Sequence, residues 1–246
     1  MNGRRQSFIK FASIILLPAF AFFLTVDQGF AQARRPAPPY EYKNIPGTNW
    51  ITLFDGKSLE GWLPLELGGS GQVEFEKGFV PAESKADPVN IIRIGQGDML
   101  SGMAWTNGPI RMNYEIEFEA MRLEGYDFFS SVSFPVKDSY VTFVPGGWSG
   151  NVTGISSVNK LDASENETAK RYSYKDNTWY HFKIKVSEKK IEAWVNDEKV
   201  VNLLTMDKEL SLRSGSPTEI NKYGLVFTTF RSTGAIKEIK MRKFKE

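Results

Sequence analysis

Two stretches of the chain keep a strict two-residue period, the signature of sheet strands with one wet and one buried face. In Arg111–Ala120, the side chains of Met112, Tyr114, Ile116, Phe118 and Ala120 fall on one side, and Asn113, Glu115, Glu117 and Glu119 on the other. Trp179–Val186 repeats the pattern, with Tyr180, Phe182, Ile184 and Val186 inward and Trp179, His181, Lys183 and Lys185 outward. After the turn Ser187–Lys189, Lys190–Asn196 continues it as the second arm of a hairpin, Ile191, Ala193 and Val195 opposite Glu192, Trp194 and Asn196.

Further strands are expected at 72–76, 90–94, 128–134, 139–144, 152–158, 199–203, 224–230 and 235–244, with glycine-, asparagine- and aspartate-containing turns between them. No stretch has a convincing helical period, and at most one helical turn is expected over Met206–Leu212. Strands this dense predict an all-β fold, a jelly-roll sandwich of two antiparallel sheets packed face to face.

The N-terminus reads differently. Arg4, Arg5 and Lys10 precede an apolar run over Phe11–Val26, and Ala31-Gln32-Ala33 supplies the small residues of a cleavage site, so residues 1–33 are expected to be a signal peptide. Residues 34–48, with Pro36, Pro38, Pro39 and Pro46, read as an extended tether, and 49–246 as the domain. That placement predicts a periplasmic or secreted protein with no membrane span after cleavage. Of 31 Lys+Arg and 29 Asp+Glu, the signal holds three and one, leaving 28 of each. A neutral mature chain without a basic stripe argues against nucleic-acid binding. Cysteine is absent, which excludes disulfides, thiolate metal sites and a lipid-anchored N-terminal thiol.

The stretch Ser139–Thr168 is the least explicable as core. Its first strand ends at Pro145-Gly146-Gly147, Trp148 sits between glycines, and Asp162, Glu165, Asn166 and Glu167 crowd oxygens into six residues. A glycine-framed indole beside an oxygen-rich loop suits a carbohydrate or hard-cation site. A divalent cation on Asp162, Glu165 and Asn166 is the one cofactor the loop suggests; a solvated acidic turn is the alternative, and no D-x-D-x-D-G motif is present. Asp162 and Glu165 are equally a carboxylate pair for acid–base work on a glycoside. His181 is the only histidine, and its place among outward lysines also fits a plain surface residue. Trp148, Trp179 and Trp194 are candidates for stacking on sugar rings, and Arg213 and Arg231 for bonding hydroxyls or a carboxylate.

Leu53-Phe54-Asp55-Gly56-Lys57-Ser58-Leu59-Glu60-Gly61-Trp62 resembles the opening of the domain of unknown function 1080 family, described as 3-keto-glycoside (3-keto-disaccharide) hydrolases or lyase/hydratases. Asn177–Tyr180, Ile191–Asp197 and Ala235–Ile239 resemble later strands of the same family. The likeness spans about Trp50 to Phe244 and implies a concanavalin-like jelly roll. Where many members carry Asn-Ser-Gly, Tyr-Glu-x-Gln and Gln-x-His-Gly, this chain has Phe129-Ser130-Ser131-Val132, Tyr140-Val141-Thr142-Phe143 and Phe227-Thr228-Thr229-Phe230. The resemblance implies cleavage of a 3-keto-glycoside, with Glu165, Asp162 or His181 as base and Arg231 or a divalent ion steadying the enolate. The departures leave open a non-catalytic glycan-binding module, with Trp148 and Trp194 for stacking and Asn151, Asp162 and Asn166 for hydroxyls, or an inert envelope scaffold.

Overall fold

A computed structural model describes residues 48–108 and 111–245; the expected signal peptide, and all but the last residue of the expected tether, lie outside them. The described strands are β1 (Ile51–Thr52), β2 (Trp62–Pro64), β3 (Val73–Phe79), β4 (Val89–Ile94), β5 (Leu100–Trp105), β6 (Tyr114–Gly125), β7 (Ser131–Val136) and β8 (Ser139–Gly146), followed by β9 (Val152–Ser156), β10 (Lys170–Arg171), β11 (Tyr180–Val186), β12 (Lys190–Val195), β13 (Glu198–Leu204), β14 (Val226–Phe230) and β15 (Ser232–Lys243). One sheet runs β13-β12-β11-β6-β15-β4-β3, with β1 added on β15; the other runs β10-β9-β8-β7-β14-β5-β2. All pairings are antiparallel, and the two sheets face each other as the jelly-roll sandwich the alternation predicts.

The inward residues of the long strands make the core. Tyr114, Ile116 and Phe118 of β6 and Phe182, Ile184 and Val186 of β11 meet Val132, Phe134, Val141, Phe143, Ile155 and Phe227 from the second sheet. Phe118 stacks on Phe182 at 5.1 Å and meets Phe227 edge-on at 5.0 Å, so three strands from both sheets share one aromatic contact. Each such ring buried contributes roughly 2–3 kcal/mol. The Leu53–Trp62 segment closes one end of this core. The backbone N–H groups of Leu53 and Phe54 both donate to the Ile239 carbonyl, and the buried Trp62 indole donates to the Leu53 carbonyl at 2.9 Å.

The outward face of the first sheet is a charged lattice. Glu115, Glu117 and Glu119 of β6 stand between His181, Lys183 and Lys185 of β11 and Lys237, Lys240 and Arg242 of β15, with Lys240–Glu117 at 3.0 Å and Lys237–Glu119 at 2.9 Å.

Three details depart from the sequence reading. Strands β2, β5 and β10 were not expected. Met206–Leu212 has no helical turn, because Met206 sits in a two-residue turn with its side chain 73% exposed and Leu210 forms a bridge to Val158. A six-residue helix instead occupies Thr218–Tyr223, anchored by the buried Ile220. Among the described residues no helix is long and apolar enough to cross a membrane.

Candidate functional site

Because Val132, Phe134, Val141, Phe143, Ile155 and Phe227 point into the core, their neighbours on β7, β8, β9 and β14 must point the other way. Those neighbours are small and hydroxylated. The register sets Ser133 opposite Thr142 and Thr142 opposite Ser156 in one row, and Ser131 opposite Thr228 in the next. Ser133 and Thr142 share a hydrogen bond of 2.8 Å, and Ser131 and Thr228 one of 2.6 Å. The result is a neutral floor of paired hydroxyls that donate and accept in either sense.

Over this floor lies a cleft of about 910 Å³. One wall is Trp148, held half-buried by an unusual turn. Gly146, Trp148, Ser149 and Gly150 all have positive φ, at 72°, 49°, 64° and 87°. Glycine adopts this region freely, but Trp148 (ψ 62°) and Ser149 (ψ 37°) carry a cost of about 1–2 kcal/mol each. Asp127, 6% exposed, offsets it. Its Oδ2 accepts the Ser149 N–H at 2.8 Å and its Oδ1 accepts the Phe128 N–H at 2.9 Å. The Asp127 backbone is itself clamped to the Ser232 hydroxyl on both N–H and carbonyl, each at 3.0 Å.

Arg213 stands against the same wall, its guanidinium 5.9 Å from the Trp148 ring centroid. Asp162 holds it from behind, with Arg213 Nε 2.9 Å from Asp162 Oδ2, while Asp162 Oδ1 accepts the Ser156 hydroxyl at 3.2 Å. Residues 213–220 cover the floor, and Glu219 enters the lining from the first turn of the short helix. Glu66, Met99, Leu100, Phe128 and Phe230 complete the rim.

The residues named from sequence separate into three places. Trp148 lines the cleft, and Asp162 reaches it through Arg213. Asn166 is turned inward to staple its own loop: its amide donates to the carbonyls of Ile155 (2.7 Å), Leu161 (3.0 Å) and Asp162 (2.8 Å), and its oxygen accepts from the backbone and hydroxyl of Thr168. Glu165 is exposed on that loop outside the cleft lining, and Asn151 is exposed at the end of the Trp148 turn, its amide on the Ser149 carbonyl at 3.3 Å. Arg231 lies beyond the rim, donating to the Tyr126 hydroxyl at 2.9 Å and resting 5.5 Å from the Phe230 ring centroid.

His181 and Trp194 are not brought to this cleft. Both lie on the outward face of the other sheet, His181 Nε2 3.6 Å from Glu117 and Trp194 beneath Lys183 and Lys199. The physical reason is the alternation itself: with Phe182 and Val195 in the core, their neighbours face away from both sheets' interior. Asp162, Glu165 and Asn166 do not converge on a cation position, since Asp162 is engaged by Arg213 and the Asn166 side-chain oxygen accepts from Thr168. Among the described residues no group of three histidine, aspartate or glutamate side chains is arranged to hold a metal. Asp127, Glu219 and the floor hydroxyls were not singled out from sequence.

A sequence profile of the 3-keto-alpha-glucoside-1,2-lyase-like domain matches residues 49–224. The chain belongs to that family. Ser131 and Thr142 of the floor fall inside the matched residues, and Thr228 lies just beyond them. Similar solved structures include domain 4 of AbnA, a GH43 extracellular arabinanase from Geobacillus stearothermophilus solved with arabinotriose (14% identity, 80% of this chain and 91% of that one, TM-score 0.48). Another is the carbohydrate binding module CBM66 from Bacillus subtilis (9% identity, 74% and 96% covered, TM-score 0.44). A third is the Crh5 transglycosylase solved with NAG (11% identity, 80% and 84% covered, TM-score 0.49). No curated protein sequence matches the chain.

Proposed function

We propose that this family member takes a 3-keto-glycoside into the cleft over the hydroxyl floor and cleaves it by elimination. The observation that carries the reading is one cleft holding an indole wall, a guanidinium fixed against it and a lining carboxylate. A ketone at C3 acidifies the proton at C2. A base takes that proton, the C3 oxygen becomes an enolate beside Arg213, and the C1–O bond breaks with its electron pair leaving on oxygen, which takes up the proton the base removed. Water then adds across the new double bond. Of the three lining carboxylates, Asp127 has both oxygens occupied by backbone N–H groups and Glu66 stands exposed on the rim, so the base is assigned to Glu219, whose carboxylate meets the Thr218 hydroxyl only at 3.5 Å.

Incubation with a 3-keto-disaccharide in deuterated water tests this. Expected are release of both sugars, deuterium at C2 of the keto-sugar, and loss of both signals in Glu219→Gln and Arg213→Gln. Sugar release without deuterium at C2 sinks the elimination.

A second reading, glycan binding without chemistry, is favoured by the neutral floor of paired hydroxyls, which itself carries no carboxylate or imidazole. Saturable binding of an unoxidised oligosaccharide with no turnover of the keto-sugar would select it. Residues 1–33 we read as a signal peptide that delivers the protein to the periplasm or beyond; a mature N-terminus other than Arg34 on the exported protein would contradict this.

A further inference from the structure

The cleft changes chemistry along its length. Toward β9 and the start of β14 its floor is hydroxylated, but where β14 ends and β7 begins the lining turns to Met99, Leu100, Phe128 and Phe230. Phe230 is opposite Leu100 in register, and its ring stacks on Phe128 at 5.7 Å with an interplanar angle of 26°. None of these four carries a strong hydrogen-bonding group. Asp127, at the same end, has both oxygens engaged. Met99 is 52% exposed and Tyr126, just beyond, 49%, so this apolar end opens to solvent instead of being filled by the protein.

A second sugar placed here would turn hydroxyls toward Met99, Leu100, Phe128 and Phe230, with Arg231 and the Tyr126 hydroxyl bonded to each other beyond the rim, whereas a flat apolar ring meets a stacked aromatic pair. We infer that this end is the subsite for an aromatic leaving group, so that the cleft takes aryl glycosides, the sugar over the hydroxyl floor and the aryl ring against Phe128, Phe230 and Met99. The inference rests on the glycoside reading of the same cleft. It also fits the chemistry: a phenolic oxygen, with a pKa of about 10 like that of tyrosine, accepts the electron pair of the C1–O bond and departs as phenolate without a dedicated proton donor.

Isothermal titration of the full chain with phenyl α-glucoside, methyl α-glucoside and maltose separates the possibilities. The phenyl glycoside is expected to bind about tenfold tighter than the methyl one, the worth of one well-placed ring contact with its buried area. Phe230→Ala should remove most of that difference and leave methyl glucoside affinity within about twofold. Met99→Ala, at an exposed position that does not endanger folding, should lower phenyl glucoside affinity alone, and it stands in if Phe230→Ala does not fold. Equal affinities for phenyl and methyl glucosides, or tighter binding of maltose than of phenyl glucoside, would overturn the aryl subsite while leaving the glycoside reading in place. No binding of any of the three would overturn the aryl subsite, while the incubation with 3-keto-disaccharide tests the glycoside reading by itself.

Discussion

Asp127 and Ser149 are joined by a hydrogen bond of 2.8 Å from the Ser149 backbone N–H to the Asp127 carboxylate, and this bond locks the left-handed turn that holds Trp148 at the cleft wall. A hydrogen bond to a charged group contributes about 1.5–3 kcal/mol. Asp127→Ala should therefore lower the urea unfolding free energy by about 2 kcal/mol or more and weaken glycan binding as well. Trp148→Ala should weaken binding without that loss of stability. Equal stability of Asp127→Ala and the parent protein in urea would show that the turn holds itself.

The two indoles that sequence alone leaves comparable are now distinct. Titration with an oligosaccharide should show Trp148→Ala about tenfold weaker, the cost of one lost stacking contact, and Trp194→Ala unchanged, since Trp194 lies under lysines on the other sheet. A larger loss from Trp194→Ala would move the binding face to the opposite side of the sandwich.

Asn166 and Glu165 are neighbours with opposite expected outcomes. Losing the Asn166 amide takes a donor from the Ile155, Leu161 and Asp162 carbonyls, the last two of which keep a backbone N–H, and an acceptor from Thr168, so Asn166→Ala should cost about 1–3 kcal/mol, read as a lower thermal midpoint. Glu165→Gln should leave both the midpoint and sugar cleavage unchanged, because its carboxylate is exposed outside the cleft.

Acid should weaken the charged face of the first sheet. Burial raises the pKa of Glu117, but the hydrogen bond from Lys240 and the charges of Lys240, His181 and Lys183 outweigh it, so the carboxyl lies below its ordinary 4.5. Glu192 is lowered in the same way, burial being outweighed by Lys199 and Lys190. A depressed folded pKa gives stability that is fully present above the unfolded value and is lost as pH falls through the folded one. Urea midpoints should thus hold from neutral pH down to about 4.5 and fall below it, less steeply in Glu117→Gln. An unchanged slope in that variant would remove Glu117 as a contributor.

The sandwich was legible because β6, β11 and β12 alternate large apolar with charged residues, and β11 and β12 form the expected hairpin, Phe182 opposite Val195 through Val186 opposite Ile191. Strand β5 was not, since Ser101, Gly102 and Ala104 are too small to mark a face. The cleft was half legible: glycines around Trp148 announced it, and Asp162 was near it. Its floor was hidden because Ser131, Thr142 and Thr228 look in sequence like a polar site gone missing, and only the register across three strands gathers their hydroxyls into one surface. His181 shows the converse: alternation tells which side of a strand is wet, but not which sheet of the sandwich that side belongs to.

The hydroxyl floor has one further consequence. Uncharged donors and acceptors, set beside stacked rings, hold an uncharged sugar by forces that dissolved ions do not screen. Capture by such a surface would proceed alike in dilute and in saline surroundings.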